Sequence, residues 1–560
     1  MAEAKTKTAA PQIHTDDLFK DFKEHSVAEF FKKNKQMLGF SGKIRSLTTI
    51  VHEYVSNSLD ACETAGILPD IHVKLDQLGP EHYQLIIRDN GPGMPEQIAA
   101  KALGQLLAGT KFHRLAQSRG QQGIGASGCT MYSLMTTGKP THLITGTTKG
   151  QISEMDVAID VKKNAPVVTN VKTREGNDIK GTKITAEFKD VQYVESSKGP
   201  LEYVRRTALA NPHASFEFVT PDGRKIKFQR TSNQIPLPAE TILPHPKGTT
   251  TDELMELSRK TEARKVSGML KADFSRMGDK KIEEIQAKCA FDLNISPNSL
   301  TWKDAEEIAN AIKGIDFMAP QTDILRPIGP ERIEKSLKTI VEPEFITVSE
   351  RPPKVYMEGR PFQVECGIAY GGGAGRQQSN GGSKGDDEEV EGQVALTATG
   401  KGLEIMRFAN KTPLMFDEGA CAITQAIKSV DWKRYGIKDI ENEPVTIFID
   451  VCSVKVPYTS AGKQAISDEE EIVQEIRQAL MDAGRKIDRF VRGKAHAYEA
   501  ALKKKRLEMY IPETVKAIAF LSGENEGKLE KKMREIIEKK FDEIDAEGES
   551  EEEIKEEDEE

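Results

Sequence analysis

The segment KIRSLTTIVHEYVSNSLDACETAG carries a carboxylate and an amide one helical turn apart, at Glu53 and Asn57, followed by Asp60. At about 100° per residue, Ile44, Leu47, Val51, Val55, Leu59 and Cys62 fall on one helical face and the three polar residues on the other. A carboxylate so placed can orient and deprotonate a water, and an amide oxygen is a hard ligand suited to Mg²⁺ beside phosphates. An amphipathic helix with a solvated polar face has the same pattern, so this segment by itself does not decide between the two.

Two further segments narrow the choice. YQLIIRDNGPGMP runs a strand pattern directly into Asp89-Asn90-Gly91-Pro92-Gly93, which leaves Asp89 at a strand end as an acceptor for a ligand amino group such as that of adenine. LLAGTKFHRLAQSRGQQGIGASGCTMYSL places Gly120, Gly123, Gly125 and Gly128 before an apolar helical run. Free N–H groups and a positive dipole end there suit phosphate. Thr110, Lys111, His113, Arg114 and Arg119 make the preceding stretch polar and basic, as a lid over phosphates would be. An Asp-Asn-Gly turn and a flexible glycine loop are ordinary features singly; the three segments in this order are far more specific. No G-x-x-x-x-G-K-[ST] string occurs, so a P-loop is not supported.

The elements that must position these residues follow from the rest of the chain. Its 560 residues, 38% hydrophobic and 30% charged, suffice for three to five domains with cores. Residues 1–15 are polar and predict a flexible strap, and helical and strand patterns then alternate to about 235, predicting one α/β domain. That domain ends in the hairpin FEFVTPDGRKIKF, with Asp-Gly at its turn. NQIPLPAETILPHPKG, with four prolines, reads as a linker. Residues 245–317 read as a compact helical domain, with a modest basic excess between Arg259 and Lys288. Strand patterns return over 318–508, interrupted by a low-complexity insert at 371–392 that predicts a disordered loop. After Lys463 comes a long helix with an apolar stripe of Ile472, Ile476, Leu480, Ile487 and Phe490. Residues 509–560 read as further helix and an acidic disordered tail.

Charge and cysteines exclude other classes. The formal net charge of -9 is concentrated in residues 542–560, which hold 13 acidic residues and only Lys555, so the rest of the chain is close to neutral and can admit nucleic acid where its cations cluster. Residues 485–506 are one such cluster, nine Lys or Arg against two acids. The six cysteines are scattered without C-x-x-C, which argues against a structural zinc or disulfide framework. The polar N-terminus and the lack of a long apolar run predict a cytoplasmic protein with no membrane partner.

The ordered segments resemble the N-box and the two glycine boxes of the GHKL ATPases. HEYVSNSLDA, RDNGPGM, LAGTKFHR and RGQQGIGASG are most similar to the B subunits of archaeal DNA topoisomerase VI, the type IIB enzymes. SVAEFFKKNKQMLGFSG, RFANKTPLMFDEGACAIT and VPYTSAGKQAI extend that resemblance from about 26 to 470. It implies a multidomain α/β and α+β chain: a Bergerat-type ATPase domain over 16–235, a helix-two turn-helix domain, and a transducer like ribosomal protein S5 ending in a long stalk helix.

It also implies roles. Glu53 would be the general base, Asn57 the ligand of a Mg²⁺ on ATP, and Asp89 the adenine contact supported by Thr182. Thr110, Lys111 and the backbone of Gly120, Gln121, Gln122, Gly123, Ile124, Gly125, Ala126 and Ser127 would wrap the phosphates. Lys463, which read bare is a solvated surface cation, would reach the γ-phosphate from the transducer and report nucleotide state across a domain boundary. Two copies of the chain would dimerise on ATP, each strap reaching over its partner, and an A subunit carrying the DNA-cleaving tyrosine would complete an A2B2 heterotetramer on the nucleoid. The assembly would pass one duplex through a double-strand break in another, relaxing supercoils and decatenating DNA. Trp432, Lys433, Arg434 and Tyr435 resemble a transducer motif that touches double-stranded DNA. A MutL-type repair ATPase shares much of this pattern, but the helical domain between the two α/β domains argues against it. Glu53 argues against a clamp that closes on DNA without turnover.

Overall fold

The protein was analysed as a computed structural model that describes residues 29–30, 33–109, 115–120, 123–357, 359–375, 402–460 and 462–540. The strap at 1–15, most of the insert at 371–392 and the acidic tail at 542–560 lie outside the described residues, as do Thr110, Lys111, Gln121 and Gln122.

The first unit is a sheet covered on one face. It comprises β1 (Asp70–Gly79), β2 (His82–Arg88), β3 (Thr141–Gly146), β4 (Gln151–Asp160), β5 (Ala165–Glu175), β6 (Gly181–Lys189), β7 (Ser215–Val219) and β8 (Lys225–Phe228), in the order β5-β4-β3-β6-β2-β1-β7-β8. Only β1 and β7 run parallel to each other; the other neighbours are antiparallel. Alternation sets the buried face: Ile71, Val73 and Leu75 on β1 and Tyr83, Leu85 and Ile87 on β2 point into one core. The helices α1 (Lys43–Thr64), α2 (Glu96–Gly104), α3 (Gly125–Thr137) and α4 (Pro200–Ala210) close that core. On α1, Leu47, Val51, Val55, Leu59 and Cys62 are fully buried, as the periodicity predicts.

After the proline-rich stretch, α5 (Thr251–Lys260), α6 (Val266–Asp273), α7 (Asp279–Gln286) and α8 (Trp302–Lys313) enclose a separate core of Leu254, Met269, Leu270, Ile308 and Ile312. Capping boxes start α5 at Thr250 with Glu253 and α8 at Thr301 with Asp304, satisfying N–H groups that a helix end leaves open.

The third unit is a second sheet buried on both faces. After α9 (Pro330–Ile340) come β9 (Phe345–Glu350), β10 (Lys354–Tyr356), β11 (Arg360–Tyr370), β12 (Glu404–Ala409), β13 (Thr412–Pro413), α10 (Ala422–Ser429) and β14 (Val445–Ser453). The path is β10-β11-β14-β12-β13, with β9 also on β11. One face packs α9 and the end of α4 through Leu209, Ala210, Phe408 and Phe448, which joins the two sheets. The other packs α10 and α11 (Glu470–Ser522), on which Ile472, Ile476, Leu480 and Ile487 are fully buried. Phe490 stacks on Phe345 with centroids 4.5 Å apart. The stalk helix runs through Pro512 to Ser522, past the expected end of the transducer at 508, so the Tyr510 segment continues the stalk.

Candidate functional site

A cavity of about 460 Å³ opens between α1, the ends of β2 and β6, and the glycine-rich turn before α3. Glu53, Asn57, Asp89 and Thr182 line it from the first unit, and Lys463 enters from the loop between β14 and α11. The turn contributes Gly120, Gly123, Ile124, Gly125 and Ala126. Ser127 is buried in the first turn of α3, its hydroxyl donating to the Ile124 carbonyl at 3.4 Å, and lies behind that lining.

Asp89 is held as an acceptor. Oδ1 takes the N–H of Gly91 at 2.9 Å and of Thr182 at 3.1 Å, and Oδ2 takes the Ser58 hydroxyl at 3.0 Å. The Asp89 N–H in turn donates to the Thr182 carbonyl at 2.9 Å. Burial pushes the carboxyl upward, and the three donors oppose it. β6 approaches this closely because its first residue is Gly181, at φ +87°, where a Cβ would stand 2.2 Å from the Asp89 carbonyl oxygen.

Glu53 lies against the start of α3. Ile124, in the cap position, has no side-chain acceptor to offer, so the first N–H groups of α3 carry no side-chain cap, and Ile124, Gly125 and Ala126 at this positive dipole end line the cavity. His52 is buried on the ring of Tyr203, 5.2 Å between centroids, with Nε2 4.0 Å from Glu53 Oε1. Burial lowers its pKa, so it faces Glu53 as a neutral ring at neutral pH. Asn57 is exposed in the cavity beside Gly120, where an added Cβ would be 3.8 Å from Asn57 Oδ1.

Lys463 sits at φ +52°, an uncommon conformation for a lysine, and neighbouring bonds hold it there. Gln464 Oε1 accepts the N–H groups of Met415 and Phe416 at 3.1 Å each, Thr459 N–H donates to Ala465 O at 3.0 Å, and Tyr458 bridges Ile466. Arg45 of α1 pairs both nitrogens with Asp417 at 2.9 Å, tying the same loop region to the helix that carries Glu53. Lys463 Nζ donates to the carbonyl of Arg119 at 3.1 Å.

Two expectations are corrected. Arg119, read as part of a basic lid, is buried away from solvent: its guanidinium bonds Asp60 Oδ1 at 2.8 Å and Glu63 at 2.7 and 2.8 Å. Asp60, expected on the outward face, is therefore buried too. Burial opposes the charge on Glu63, but Arg119 and His213 outweigh it and hold this carboxyl far below the usual range. The structure divides the WKRY motif between core and surface. Trp432 and Tyr435 belong to the second sheet's core, Trp432 Nε1 donating to Ile427 O at 3.0 Å and Tyr435 packing on Gly484, so only Lys433 and Arg434 reach solvent.

A third cluster escaped sequence reasoning because its members lie on different strands. Glu365 and Asp450 are directly paired across β11 and β14, fully buried, with Cys452 beside them. Glu365 accepts Ile328 N–H at 2.8 Å and Gly329 N–H at 2.6 Å at the start of α9, and Asp450 accepts Lys411 N–H at 3.1 Å. Burial and the adjacent Asp450 push Glu365 up to about 8, and burial pushes Asp450 up as well. These bonds give the pair a structural role behind the loop that carries Lys411.

Comparisons with known proteins agree with this architecture. Residues 42–192 match the family described as histidine kinase-, DNA gyrase B-, and HSP90-like ATPase, and residues 320–504 match the topoisomerase VI B subunit transducer. The B subunit of type 2 DNA topoisomerase 6 from Thermococcus sibiricus is 43% identical, covering 96% of this chain and 98% of that protein. That of Pyrococcus horikoshii is 44% identical over 94% and 97%, and that of Methanothermobacter thermautotrophicus 46% identical over 91% and 94%. The solved ATPase region of Saccharomyces cerevisiae topoisomerase II aligns at 11% identity and TM-score 0.39, covering 84% of this chain and 98% of that one, too distant to add to the argument. With more than two-fifths of its residues shared with these relatives along nearly its whole length, the chain belongs to the family of type 2 DNA topoisomerase 6 B subunits.

Proposed function

We propose that this chain is the ATP-binding and ATP-hydrolysing subunit of a type IIB DNA topoisomerase, and that ATP closes two copies into a gate for duplex passage. The observation that carries the reading is the cavity that gathers Glu53, Asn57 and Asp89 from the first unit and Lys463 from the third. Family membership supplies the context.

The residues fit ATP chemically. Asp89 has its protein donors already placed and a carboxylate edge facing the cavity, which suits the adenine amino group. The backbone of the glycine turn and the first N–H groups of α3 suit phosphate oxygens, because a helix start offers free donors and a positive dipole end. Asn57 Oδ1 would hold a Mg²⁺ on the triphosphate, which when bound spreads and neutralises phosphate charge. Glu53 would take the proton of the attacking water. Lys463 would exchange the Arg119 carbonyl for the terminal phosphate, so its position would depend on whether that phosphate is present.

The partners follow the same reading. An A subunit with the DNA-cleaving centre would complete an A2B2 assembly, with the protein in the cytoplasm on the nucleoid. Lys433, Arg434 and the basic part of α11 would give sequence-independent, salt-sensitive contact with double-stranded DNA. Among the described residues no helix is long and apolar enough to cross a membrane. Mixing the chain with a candidate A subunit and supercoiled DNA tests the whole reading. ATP-dependent relaxation and decatenation are expected; hydrolysis without either, across suitable partners, would point to a clamp or a repair ATPase.

A further inference from the structure

We infer that Arg119 is a positioning residue for Lys463, and that its buried pairing ties the nucleotide cavity to the transducer sheet. The inference rests on the ATP reading of the cavity and adds to it a residue with no direct phosphate role.

Three successive residues before the glycine turn are tied to segments outside the first sheet. Gln117 pairs in both directions with the Arg326 backbone, at 3.0 and 2.7 Å. Ser118 O accepts Asn410 Nδ2 at 3.3 Å from the turn between β12 and β13. Arg119 extends its guanidinium to Asp60 and Glu63 on α1 and to Asn211 Oδ1 at the end of α4. Asn211 Nδ2 then donates to the Lys411 carbonyl at 3.1 Å, returning to the β12–β13 turn.

The carbonyl of this anchored residue is the one that accepts Lys463 Nζ, and the next residue is Gly120, beside Asn57. A buried guanidinium cannot leave two carboxylates without a large penalty, since both would lose their cationic partner in a poorly solvated place and Glu63 would keep His213 as its neighbour. The Arg119 carbonyl is therefore fixed relative to α1, while residues 117 and 118 must follow any shift of the β12–β13 turn and the Arg326 segment. Movement of the transducer reaches the cavity by two routes that meet at one peptide: the loop of Lys463 and the base of the glycine turn. Arg119 thus acts through Lys463.

A double-mutant cycle on the full-length chain tests this, reading kcat and KM for ATP together with the thermal midpoint. Arg119→Ala and the milder Glu63→Gln are each expected to lower kcat roughly ten-fold with KM changed no more than about three-fold, and Arg119→Lys to recover part of the loss. Combined with Lys463→Ala, either should add little, within roughly two-fold of Lys463→Ala alone, because the two residues share one effect. If Arg119→Ala does not fold, Glu63→Gln carries the test. Losses that multiply with Lys463→Ala, or a Glu63→Gln enzyme with a lower thermal midpoint and unchanged kcat, would overturn the inference in favour of a merely stabilising role. A wild-type chain that neither binds a non-hydrolysable ATP analogue nor hydrolyses ATP would instead overturn the underlying reading, and this one with it.

Discussion

The carboxylate of Glu53 and the first residue of α3 leave no room for a side chain between them: a Cβ on Gly125 would lie 1.8 Å from Glu53 Oε2. Glycine at 125 lets the carboxylate of one helix rest on the backbone at the start of another. Alanine is a good helix former, so Gly125→Ala should keep the fold while displacing Glu53. A misplacement of about 1 Å can lower turnover on the order of 100-fold, and kcat for ATP hydrolysis in Gly125→Ala should fall by roughly that factor. Steady-state hydrolysis and circular dichroism on the same sample check it; full activity would mean that Glu53 need not sit there.

Removing the base itself separates binding from chemistry. Glu53→Ala should retain a non-hydrolysable ATP analogue, measured by calorimetry, because Asp89 and the glycine turn are untouched. Hydrolysis should fall by about 10²–10⁴-fold, the usual contribution of a general base. Normal turnover would remove Glu53 from the mechanism.

Lys463 is expected to matter after binding. Lys463→Ala should bind nucleotide within a few-fold of wild type but weaken analogue-induced dimer closure, followed by analytical ultracentrifugation, and ATP-dependent relaxation with an A subunit. Unchanged relaxation would count against a nucleotide-sensing lysine.

The Glu365–Asp450 pair predicts a pH signature. In the fold Glu365 titrates near 8, against an ordinary value of 4.5, so between these pH values the folded chain keeps a proton that the unfolded chain has released. Stability contributed by this pair is therefore full below about 4.5 and declines as pH rises to about 8. Asp450→Asn removes the neighbouring charge and should flatten that decline, visible as a smaller drop in thermal midpoint than in wild type as pH rises from 4.5 to about 8. Parallel curves for the two proteins would show that the pair does not share a proton in this way.

The two halves of WKRY should behave differently. Trp432→Ala removes a core side chain and should destabilise the protein by about 3–5 kcal/mol. Lys433→Ala with Arg434→Ala should leave the thermal midpoint in place and reduce the slope of log DNA affinity against log salt by about 2 if both touch phosphates. An unchanged slope would move DNA contact to the stalk.

Local pattern decided a great deal. The stripe of α1, the strand entering Asp89-Asn90-Gly91, the glycine turn before α3 and the apolar stripe of α11 are all legible by period and turn chemistry, because each is set by neighbours a few residues away. Glu53, Asn57, Asp89 and Thr182 could thus be named from their places on those elements and from family resemblance, and they line one cavity. What the chain alone did not disclose is who meets whom across hundreds of residues. Arg119 is a lid cation by composition and a buried partner of Asp60 and Glu63 by structure; Trp432 is an interfacial aromatic by motif and a core residue by packing. Glu365 and Asp450 become a pair only when β11 lies against β14, and Lys463 reaches the Arg119 carbonyl only once the second sheet has docked on α4. Burial and charge pairing belong to the packed whole: the same side chain is solvated or desolvated according to a partner that no local period encodes.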